Sequence, residues 1–377
     1  MKKAKLIWFF VVFSLSLLHK TRFVMNPDVI KEYKEISLAI SWMRFPLIIM
    51  IVLLHCYCAI DAHGYPLYFT LVYPFGLIWG ETGVPAFFFI SGFLLFYSSK
   101  SYCQKIHSRV HSLLIPYIFW NGLILLVYFL IEMMGHPMMI LGKSVAHYVF
   151  VDYLRAFIDR GNWDAGNGVP MLCPYWYIRN LMVLCLLSPI IYYGLKYLKW
   201  IPIVALFIWW ISIPFNGMIA SSLLFFSMGA YFSIEQKNPI NTLRKYWIAF
   251  VAVWLLFFLI DWAHCLWYVP YALYFHRLTL MLNVFLLMLV GSYHGNKQYP
   301  GRKLLDNSAF WIYTVHYPMT LVLGDVSTRY LQDVADWQMF VFYWCGVLCV
   351  TALCVVIYNV LHRLCPGVLS FVTGNRS

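Results

Sequence analysis

The sequence predicts an all-α, polytopic membrane protein, and three observations support this prediction. Of its 377 residues, 62% are hydrophobic and only 11% are charged, whereas soluble domains carry about 25% charged residues. Apolar runs of about 20 residues, the length that crosses a bilayer as a helix, recur along the chain. These runs do not alternate polar and apolar residues in the way of outer-membrane barrel strands.

Ten helical spans are predicted from the apolar runs, because backbone groups inside lipid must be hydrogen-bonded within their own segment. The spans are 37–60, 82–98, 112–133, 175–195, 198–214, 217–234, 246–264, 270–291, 307–324 and 338–361. Together they define a membrane domain over residues 36–361. An N-terminal lead-in, residues 1–35, precedes it, and a short tail, residues 362–377, follows it.

Lysine and arginine residues in the connections predict the orientation, since cytoplasmic loops carry an excess of them. Only Lys143, Arg155, Arg160 and Arg329 lie on one side. The other side holds Arg44, Lys31, Lys34, Lys100, Lys105, Arg109, Lys196, Lys199, Lys237, Arg244, Lys245, Lys297, Arg302, Lys303, Arg363 and Arg376. We therefore expect both ends of the bundle in the cytoplasm, the largest outer connection at about 134–174, and a location in the cytoplasmic membrane.

The first 24 residues do not fit this orientation. The apolar run 6–18 follows three lysines and resembles a secretory signal sequence. Insertion or cleavage there would place Lys20, Arg22, Lys31 and Lys34 outside, against the charge rule. Either synthesis begins at Met25, or residues 1–24 form a short helix on the inner face of the membrane. Peptides from upstream of Met25, detected by mass spectrometry, would exclude the first explanation.

Charge and cysteine patterns exclude two classes of ligand. The net charge of +12 does not indicate nucleic-acid binding, because the basic residues are scattered singly between apolar runs. The ten cysteines lie mostly in or beside apolar runs, where cysteine acts as a small hydrophobe. Cys56 and Cys58 flank His55 closely, but no second ligand cluster of suitable spacing completes a metal site. Neither nucleic acid nor a metal is expected.

The first span contains two ionisable residues, Arg44 and His55, in an otherwise apolar stretch. Eleven residues at about 100° each place His55 only about 20° past three full turns from Arg44, and roughly 16 Å further along the helix. A charge inside a span costs about 2.5–3.5 kcal/mol by insertion scales and marks a cavity or a partner. Taken singly, Arg44 would extend to the headgroups and His55 would bond a neighbouring helix. Together on one face, they favour a polar passage entered from the cytoplasm.

Several motifs, in order along the chain, resemble those of the acyltransferase-3 family of integral membrane acyltransferases. The first is Arg44, ten further residues and His55. The others are "GVPAFFFISGFLLF" (83–96), "RVHSLLIPYIFW" (109–120), "YWYIRNLMVLCLLSPII" (175–191), "FSMGAYF" (226–232) and "SAFWIYTVHYP" (308–318). The resemblance covers roughly residues 36–361.

The resemblance implies an O-acyltransferase that moves an acyl group, commonly acetyl, from cytoplasmic acyl-coenzyme A to a hydroxyl of a cell-envelope glycan or a related lipid-linked acceptor. Arg44, with Lys105 and Arg109, would bind the anionic donor. His55 would be the general base that takes the hydroxyl proton. The family's usual Arg-x-x-Arg is not intact, because Ser112 occupies its second position.

Five further candidate residues each have a structural alternative. His316 is either a second catalytic group in the cavity or the donor of an interhelical hydrogen bond. Ser91 either contacts substrate or belongs to a segment of small residues that lets helices approach. Trp176 is a wall of the acceptor site or an interfacial belt residue, and Arg179 lines the cavity or extends outward. Glu81 assists acid–base chemistry or lies at the outer rim.

One rival class of protein remains open. No Gly-x-Ser-x-Gly, Walker or His-Glu-x-x-His motif occurs, which disfavours serine hydrolases, ATPases and zinc peptidases of those kinds. A transporter or glycan flippase is the alternative, since a polar passage through ten helices would serve it too. Transporters often contain inverted repeats, and none is evident. Intramembrane Arg277 is expected to pair with an acidic residue such as Asp261 or Glu81.

Overall fold

The computed structural model describes residues 27–60, 64–136, 139–140, 143–160, 168–213, 217–295, 297 and 301–375. The helices are α1 (Pro27–Ala59), α2 (Pro66–Tyr73), α3 (Gly80–Tyr97), α4 (Tyr102–Arg109), α5 (Ile115–Met133), α6 (Phe150–Ala156), α7 (Trp176–Leu198), α8 (Ile201–Ser212), α9 (Met218–Ile234), α10 (Pro239–Lys245), α11 (Trp247–Ala263), α12 (Ala272–His294), α13 (Arg302–Tyr330), α14 (Asp336–Leu364) and α15 (Pro366–Thr373). The explanations proposed for residues 1–24 and the Met25 start lie outside the described residues.

Short irregular elements join the helices. Two π-helical turns, Pro74–Trp79 and Val110–Leu114, connect α2 to α3 and α4 to α5. In the 134–174 connection, β1 (Met139–Ile140) pairs antiparallel with β2 (Lys143–Ser144). The 3₁₀ turns Val145–His147 and Cys173–Tyr175 lie in the same connection. Leu125, Val145, Tyr148, Ala156 and Met171 form a small apolar core beneath it.

Each predicted span coincides with a helix, which confirms the all-α, polytopic architecture. Within the described residues, six helical segments are long and apolar enough to cross a membrane: Glu35–Ala59, Pro66–Tyr97, Tyr102–Met133, Cys173–Leu198, Ala272–His294 and Asp336–Leu364. A seventh is added if α9 and α10, bent by 93°, form one broken span. The apolar helices α8 and α11 are shorter, with 12 and 17 residues. The number ten and the orientation stay predictions.

Helix α1 lies in the centre of the bundle, packed against α3, α12, α13 and α14. Glycines on three of these neighbours bring the backbones together: a Cβ added at Gly83 would lie 3.1 Å from the Leu47 carbonyl, one at Gly291 would lie 3.1 Å from that of Ala39, and one at Gly324 would lie 2.5 Å from that of Ala59. Small residues at helix crossings allow this approach in membranes, where packing drives association. Helix α1 is therefore surrounded by protein over most of its length.

The contacts also give the relative directions of the helices. Gly324, late in α13, lies against Ala59 at the end of α1, and Asp306, early in α13, shares a cavity with Arg44. Helices α1 and α13 therefore run parallel. Gly295, just after the end of α12, lies against Leu38 in the first half of α1. Helix α12 is therefore antiparallel to α1. These directions agree with the predicted order, in which α1, α12 and α13 are the first, eighth and ninth spans.

Helices α3 and α9 make the tightest crossing. A Cβ added at Gly92 would lie 2.0 Å from the carbonyl oxygen of Phe226, and one at Gly229 would lie 1.9 Å from that of Phe89. Both distances are far below van der Waals contact, and the obstructing atoms are backbone, which cannot move aside without shifting a helix. The Ser-Gly-Phe segment predicted to permit close packing lies at this crossing.

Replacing Gly229 by alanine should therefore push α3 away from α9 and destabilise the protein. Overpacking typically costs about 1–3 kcal/mol, and we expect at least this much here. The measurement is the apparent melting temperature of the detergent-purified protein, followed by size-exclusion chromatography. Gly194→Ala on α7 is the matched control, since a Cβ there meets no atom within 4 Å. Equal melting temperatures for the two variants would contradict this packing.

Candidate active site

A cavity of about 360 Å³, called here the inner cavity, opens between α1, α3, α7 and α13. Its polar lining includes Arg44, Ser91, Arg109, Tyr177, Asp306 and Tyr313. The remaining walls are largely apolar, with side chains such as Ile48, Phe87 and Phe310. The combination of a mostly apolar wall with a few convergent polar groups is typical of small-molecule sites.

A second cavity of about 890 Å³, called here the entrance cavity, lies at the α4–α5 junction. Its wall includes the basic side chains Lys100, His107, Arg109 and His111, and no carboxylate among the described residues. Arg109 lines both cavities. The two cavities therefore adjoin at Arg109, the basic entrance cavity on one side and the more apolar inner cavity on the other.

The face of α1 that carries Arg44 and His55 packs against α13. Arg44 faces Asp306 across the inner cavity, while Asp306 accepts a hydrogen bond from Arg302 Nε at 3.2 Å. Eleven residues further along each helix, the ring of His55 contacts that of Tyr317, with centroids 5.2 Å apart at 79°. The two predicted residues thus share one face of α1, directed at one partner helix.

His55 and His316 form a pair of imidazoles at the deeper end of this face. Their ring centroids are 5.1 Å apart, with an angle of 42° between the planes. His55 is half-buried, and His316 is fully buried. Tyr313, which lines the inner cavity, lies 6.4 Å from the His316 ring. The rings of Tyr313, His316 and His55 therefore continue from the inner cavity deeper into the bundle.

The hydrogen bonds of His316 determine which of its nitrogens is available. Nδ1 lies 2.9 Å from the backbone carbonyl of Ile312, to which it donates. In the neutral ring, Nε2 is then the acceptor. Nε2 is buried and has no hydrogen-bond partner among the described residues. Because buried polar atoms are nearly always satisfied, this nitrogen is a candidate for contact with a substrate.

Tyrosines form the wall beside the histidine pair. Tyr117, Tyr175 and Tyr313 stack in a column, with centroids 5.8 and 5.7 Å apart. The phenol of Tyr313 donates to the carbonyl of Pro174, and the hydroxyls of Tyr175 and Thr314 lie 3.0 Å apart. These bonds fix the 3₁₀ turn at Cys173–Tyr175 against α13. The 134–174 connection is thereby held against the site.

The other side of the His55 ring meets this connection through Tyr317. The guanidinium of Arg160 and the thiol of Cys173 both lie beside the phenol of Tyr317 and interact with it electrostatically. His55 therefore lies between a cavity that begins at Arg44 and a polar cluster contributed by the predicted outer connection.

Two predicted site residues, Arg179 and Trp176, have mainly structural contacts. Arg179 donates to the carbonyl oxygens of Ile158 and Gly168 at 2.6 and 2.8 Å and so ties the 134–174 connection to α7. Trp176 packs 6.1 Å from the ring of Phe88 and, like Lys105, is not among the residues lining either cavity. Ser91, in contrast, lines the inner cavity, 3.1 Å from the phenol of Tyr177.

Glu81 belongs to a separate polar cluster. Its carboxylate lies 3.1 Å from His276 Nε2, and Asp261 lies 2.9 Å from His276 Nδ1. A histidine with a carboxylate at each nitrogen forms two charge-assisted hydrogen bonds when it is protonated. The cluster joins α3, α11 and α12.

The expected pairing of Arg277 with Asp261 or Glu81 needs correction. The contacts of both carboxylates are with His276, one residue earlier in α12. Arg277 instead donates to the backbone carbonyls of Trp210 and Ile211, and its guanidinium lies 5.7 Å from the centre of the Trp210 ring. Adjacent helical residues point about 100° apart, so a shift of one residue selects a different partner helix.

Several residues that meet at the site were not predicted from the sequence as site residues. Asp306, Tyr313 and Tyr317 form one stripe of α13, at the spacings i, i+7 and i+11 that place residues on one helix face. That periodicity is the sequence feature from which the stripe could have been predicted. No sequence feature predicts that Arg160 lies beside Tyr317, because this contact depends on how the 134–174 connection folds. No group of three or more histidine, cysteine or acidic side chains suited to a metal occurs in the described part of the chain.

A protein-family comparison agrees with this architecture. Residues 37–359 match the acyltransferase-3 family model, described as an acyltransferase domain, and this range includes both cavities' walls except for Gly374 and Asn375. The chain belongs to the acyltransferase-3 family. It is accordingly a multi-pass membrane acyltransferase, an enzyme that transfers acyl groups. The resemblance found in the sequence motifs is confirmed.

One relative of this acyltransferase is the succinoglycan biosynthesis protein ExoH of Rhizobium meliloti (strain 1021). The two are 26% identical over 310 residues, which cover 78% of this chain and 79% of ExoH. No solved structure matches the chain.

The Glu81–His276–Asp261 cluster should act on stability. Asp261 is only 1% exposed. His276→Ala leaves this buried carboxylate with the 3.5 Å hydrogen bond from the Tyr73 hydroxyl but without its charged partner, and such a change typically destabilises by about 3–5 kcal/mol. The measurement is the melting temperature in detergent, together with acyl transfer per folded molecule.

Arg329→Ala is the control, since it breaks an exposed pair with Asp325 and should change stability by at most about 1 kcal/mol. A His276→Ala protein with wild-type stability, or one that is fully folded and inactive, would contradict the structural role of this cluster.

Proposed function

We propose that this acyltransferase takes an acyl group, commonly acetyl, from acyl-coenzyme A in the cytoplasm and transfers it to a hydroxyl of a cell-envelope glycan or a related lipid-linked acceptor. The proposal rests on the relative positions of these groups. A basic entrance cavity adjoins, at Arg109, an inner cavity lined by Arg44, and the His55–His316 pair lies further along the same α1–α13 interface, beyond the residues that line that cavity. The relative in succinoglycan biosynthesis supports a polysaccharide acceptor.

The proposed donor site follows the charge distribution of the two cavities. Acyl-coenzyme A has a highly anionic nucleotide end and a long, less polar arm that ends in the thioester. The entrance cavity offers lysine, arginine and histidine side chains, and arginine binds phosphate by paired hydrogen bonds. The inner cavity, with its mostly apolar wall, suits the arm. Arg109 lies at the junction, and Arg44 lies further along it.

The proposed reaction uses His55 as general base. The acceptor hydroxyl attacks the thioester carbonyl carbon while its proton passes to an imidazole nitrogen of His55. Collapse of the tetrahedral intermediate breaks the carbon–sulfur bond. The imidazolium then returns the proton to the leaving thiolate, so that the products are an ester and free coenzyme A.

The contacts of the two histidines support different roles for them. His55 is half-buried, and no described residue hydrogen-bonds either of its nitrogens, so the ring is available to substrate. His316 is fixed by its bond to Ile312 and presents only Nε2. We assign His316 Nε2 the task of accepting a hydrogen bond from the N–H of the His55 ring during the reaction, which would leave the other His55 nitrogen to act as the base. Tyr317, with Arg160, holds His55 from the opposite side.

The orientation of the bundle is part of the proposal. The basic entrance cavity lies at the end predicted to be cytoplasmic, where coenzyme A thioesters are found. The Arg160–Tyr317 cluster lies toward the predicted outer side, from which an envelope glycan would approach. His55 would then receive the donor from one side and the acceptor from the other, so that only the acyl group crosses the remaining distance.

Replacing His55 by alanine should lower acyl transfer by about 10²–10⁴-fold, the usual contribution of a general base. The assay is transfer from radiolabelled acetyl-coenzyme A to envelope glycan in membranes with equal amounts of folded protein. His362→Ala is the control, because His362 is exposed on α14 and lines neither cavity. Wild-type rates for His55→Ala would contradict the assigned role.

Arg44→Ala should raise the KM for the acyl donor, since it removes a cation from the inner cavity. Arg363→Ala, which removes an exposed arginine of α14, should leave KM unchanged.

The purified protein, reconstituted in lipid vesicles, tests the flippase alternative. Movement of glycan across vesicles without acyl transfer would contradict the enzymatic proposal and favour that rival.

A further inference from the structure

Helix α15 packs against the start of α5, next to the entrance cavity. The indole nitrogen of Trp120 donates to the carbonyl of Val372 at 2.9 Å, and the rings of Phe119 and Phe371 lie 5.9 Å apart. The side chains of Leu369 and Val372 are buried. The segment predicted as a cytoplasmic tail therefore contains a docked helix.

The chain after α15 turns so that Gly374 lies against the π-helical turn. Gly374 has φ = +66°, a conformation that favours glycine, and a Cβ added there would lie 2.8 Å from both the Cα and the carbonyl oxygen of Ser112. Asn375 is held by its backbone N–H, which donates to Ser370 O at 2.8 Å, and by the Ser370 hydroxyl, which donates to its side-chain oxygen at 2.7 Å. Both residues line the entrance cavity.

The same place is where this chain departs from the family motif. Ser112 stands at the position of the second arginine of the Arg-x-x-Arg pattern, and the Gly374 backbone lies directly on it. The hydroxyl of Ser112 is buried and has no hydrogen-bond partner in the described structure. Val110–Leu114 forms a π-helical turn, a feature that recurs at functional sites. The docked segment thus lies directly against the backbone of Ser112, where the chain departs from the motif.

We propose that α15 and its Gly374–Asn375 turn form part of the donor site and help to bind the phosphorylated nucleotide end of the acyl donor. This inference rests on the proposed function. The turn closes one wall of a cavity whose other polar groups include Lys100, His107 and Arg109. Asn375 adds an exposed amide, a group that hydrogen-bonds phosphate oxygens, to these cations. The donor's nucleotide end would therefore be bound by two segments more than 260 residues apart in sequence.

The experiment measures coenzyme A binding to the detergent-purified full chain by isothermal titration calorimetry, alongside the donor KM and kcat. Gly374→Ala should shift the turn away from Ser112 and weaken coenzyme A binding by about tenfold or more, with little change in kcat. Gly367→Ala in the same helix is the matched control, since a Cβ there meets no atom within 4 Å. It should bind like the wild type.

A second ligand separates a direct role from loss of structure. Dephospho-coenzyme A lacks the 3′-phosphate, and the wild type should bind it less tightly than coenzyme A. If the turn helps to bind the phosphorylated end, Asn375→Ala should reduce this preference while retaining wild-type melting temperature. A variant that merely damages the fold would instead lose both ligands together, which would overturn the proposal.

The outcomes distinguish the two levels of inference. Unchanged coenzyme A binding and preference in a folded Asn375→Ala protein would overturn the role of the turn, whatever the fate of Gly374→Ala. A wild-type protein that binds coenzyme A but transfers no acyl group would contradict the proposed function and leave the donor-site inference standing.

Discussion

The structure depends on how one apolar helix accommodates an arginine and a histidine. A charged side chain in lipid is unfavourable by a few kcal/mol, so both residues of α1 must face protein or water. Helix α13 runs parallel to α1 and presents Asp306 near Arg44, and His316 and Tyr317 near His55. The same packing creates the inner cavity. Stability and the candidate chemistry therefore share one interface.

Glycine contacts and buried polar pairs set this interface in place. The Gly92–Gly229 crossing brings α3 against α9, and Gly83 and Gly324 bring α3 and α13 against α1. Away from the cavities, His276 joins the carboxylates of α3 and α11. Away from the cavities, histidine–carboxylate contacts thus stabilise the bundle, while the charges that line the cavities are available for the proposed chemistry.

The sequence predicted local features well and tertiary partners poorly. The face shared by Arg44 and His55 follows from helix geometry alone, and the apolar runs located every major helix. The predicted partner of Arg277 was wrong. The neighbouring residue His276 points toward the two carboxylates, whereas Arg277, about 100° further around α12, points toward α8. The contact of Arg160 with Tyr317 and the docking of Gly374 on Ser112 join distant parts of the chain. Such contacts depend on the folding of connections, for which a single sequence carries no periodic signal.

The central claim is that the donor lies along the Arg44–His55 face, with its nucleotide at the basic end and its thioester at the histidines. A cryo-electron microscopy structure with a bound, non-hydrolysable acyl-coenzyme A analogue tests this most directly. We expect phosphate density beside Arg109 in the entrance cavity. We expect the thioester carbonyl carbon close enough to His55 for an acceptor hydroxyl to reach it while hydrogen-bonded, at about 2.6–3.2 Å, to an imidazole nitrogen. A nucleotide bound at the opposite end of the bundle, or a thioester that ends away from His55 and His316, would contradict it.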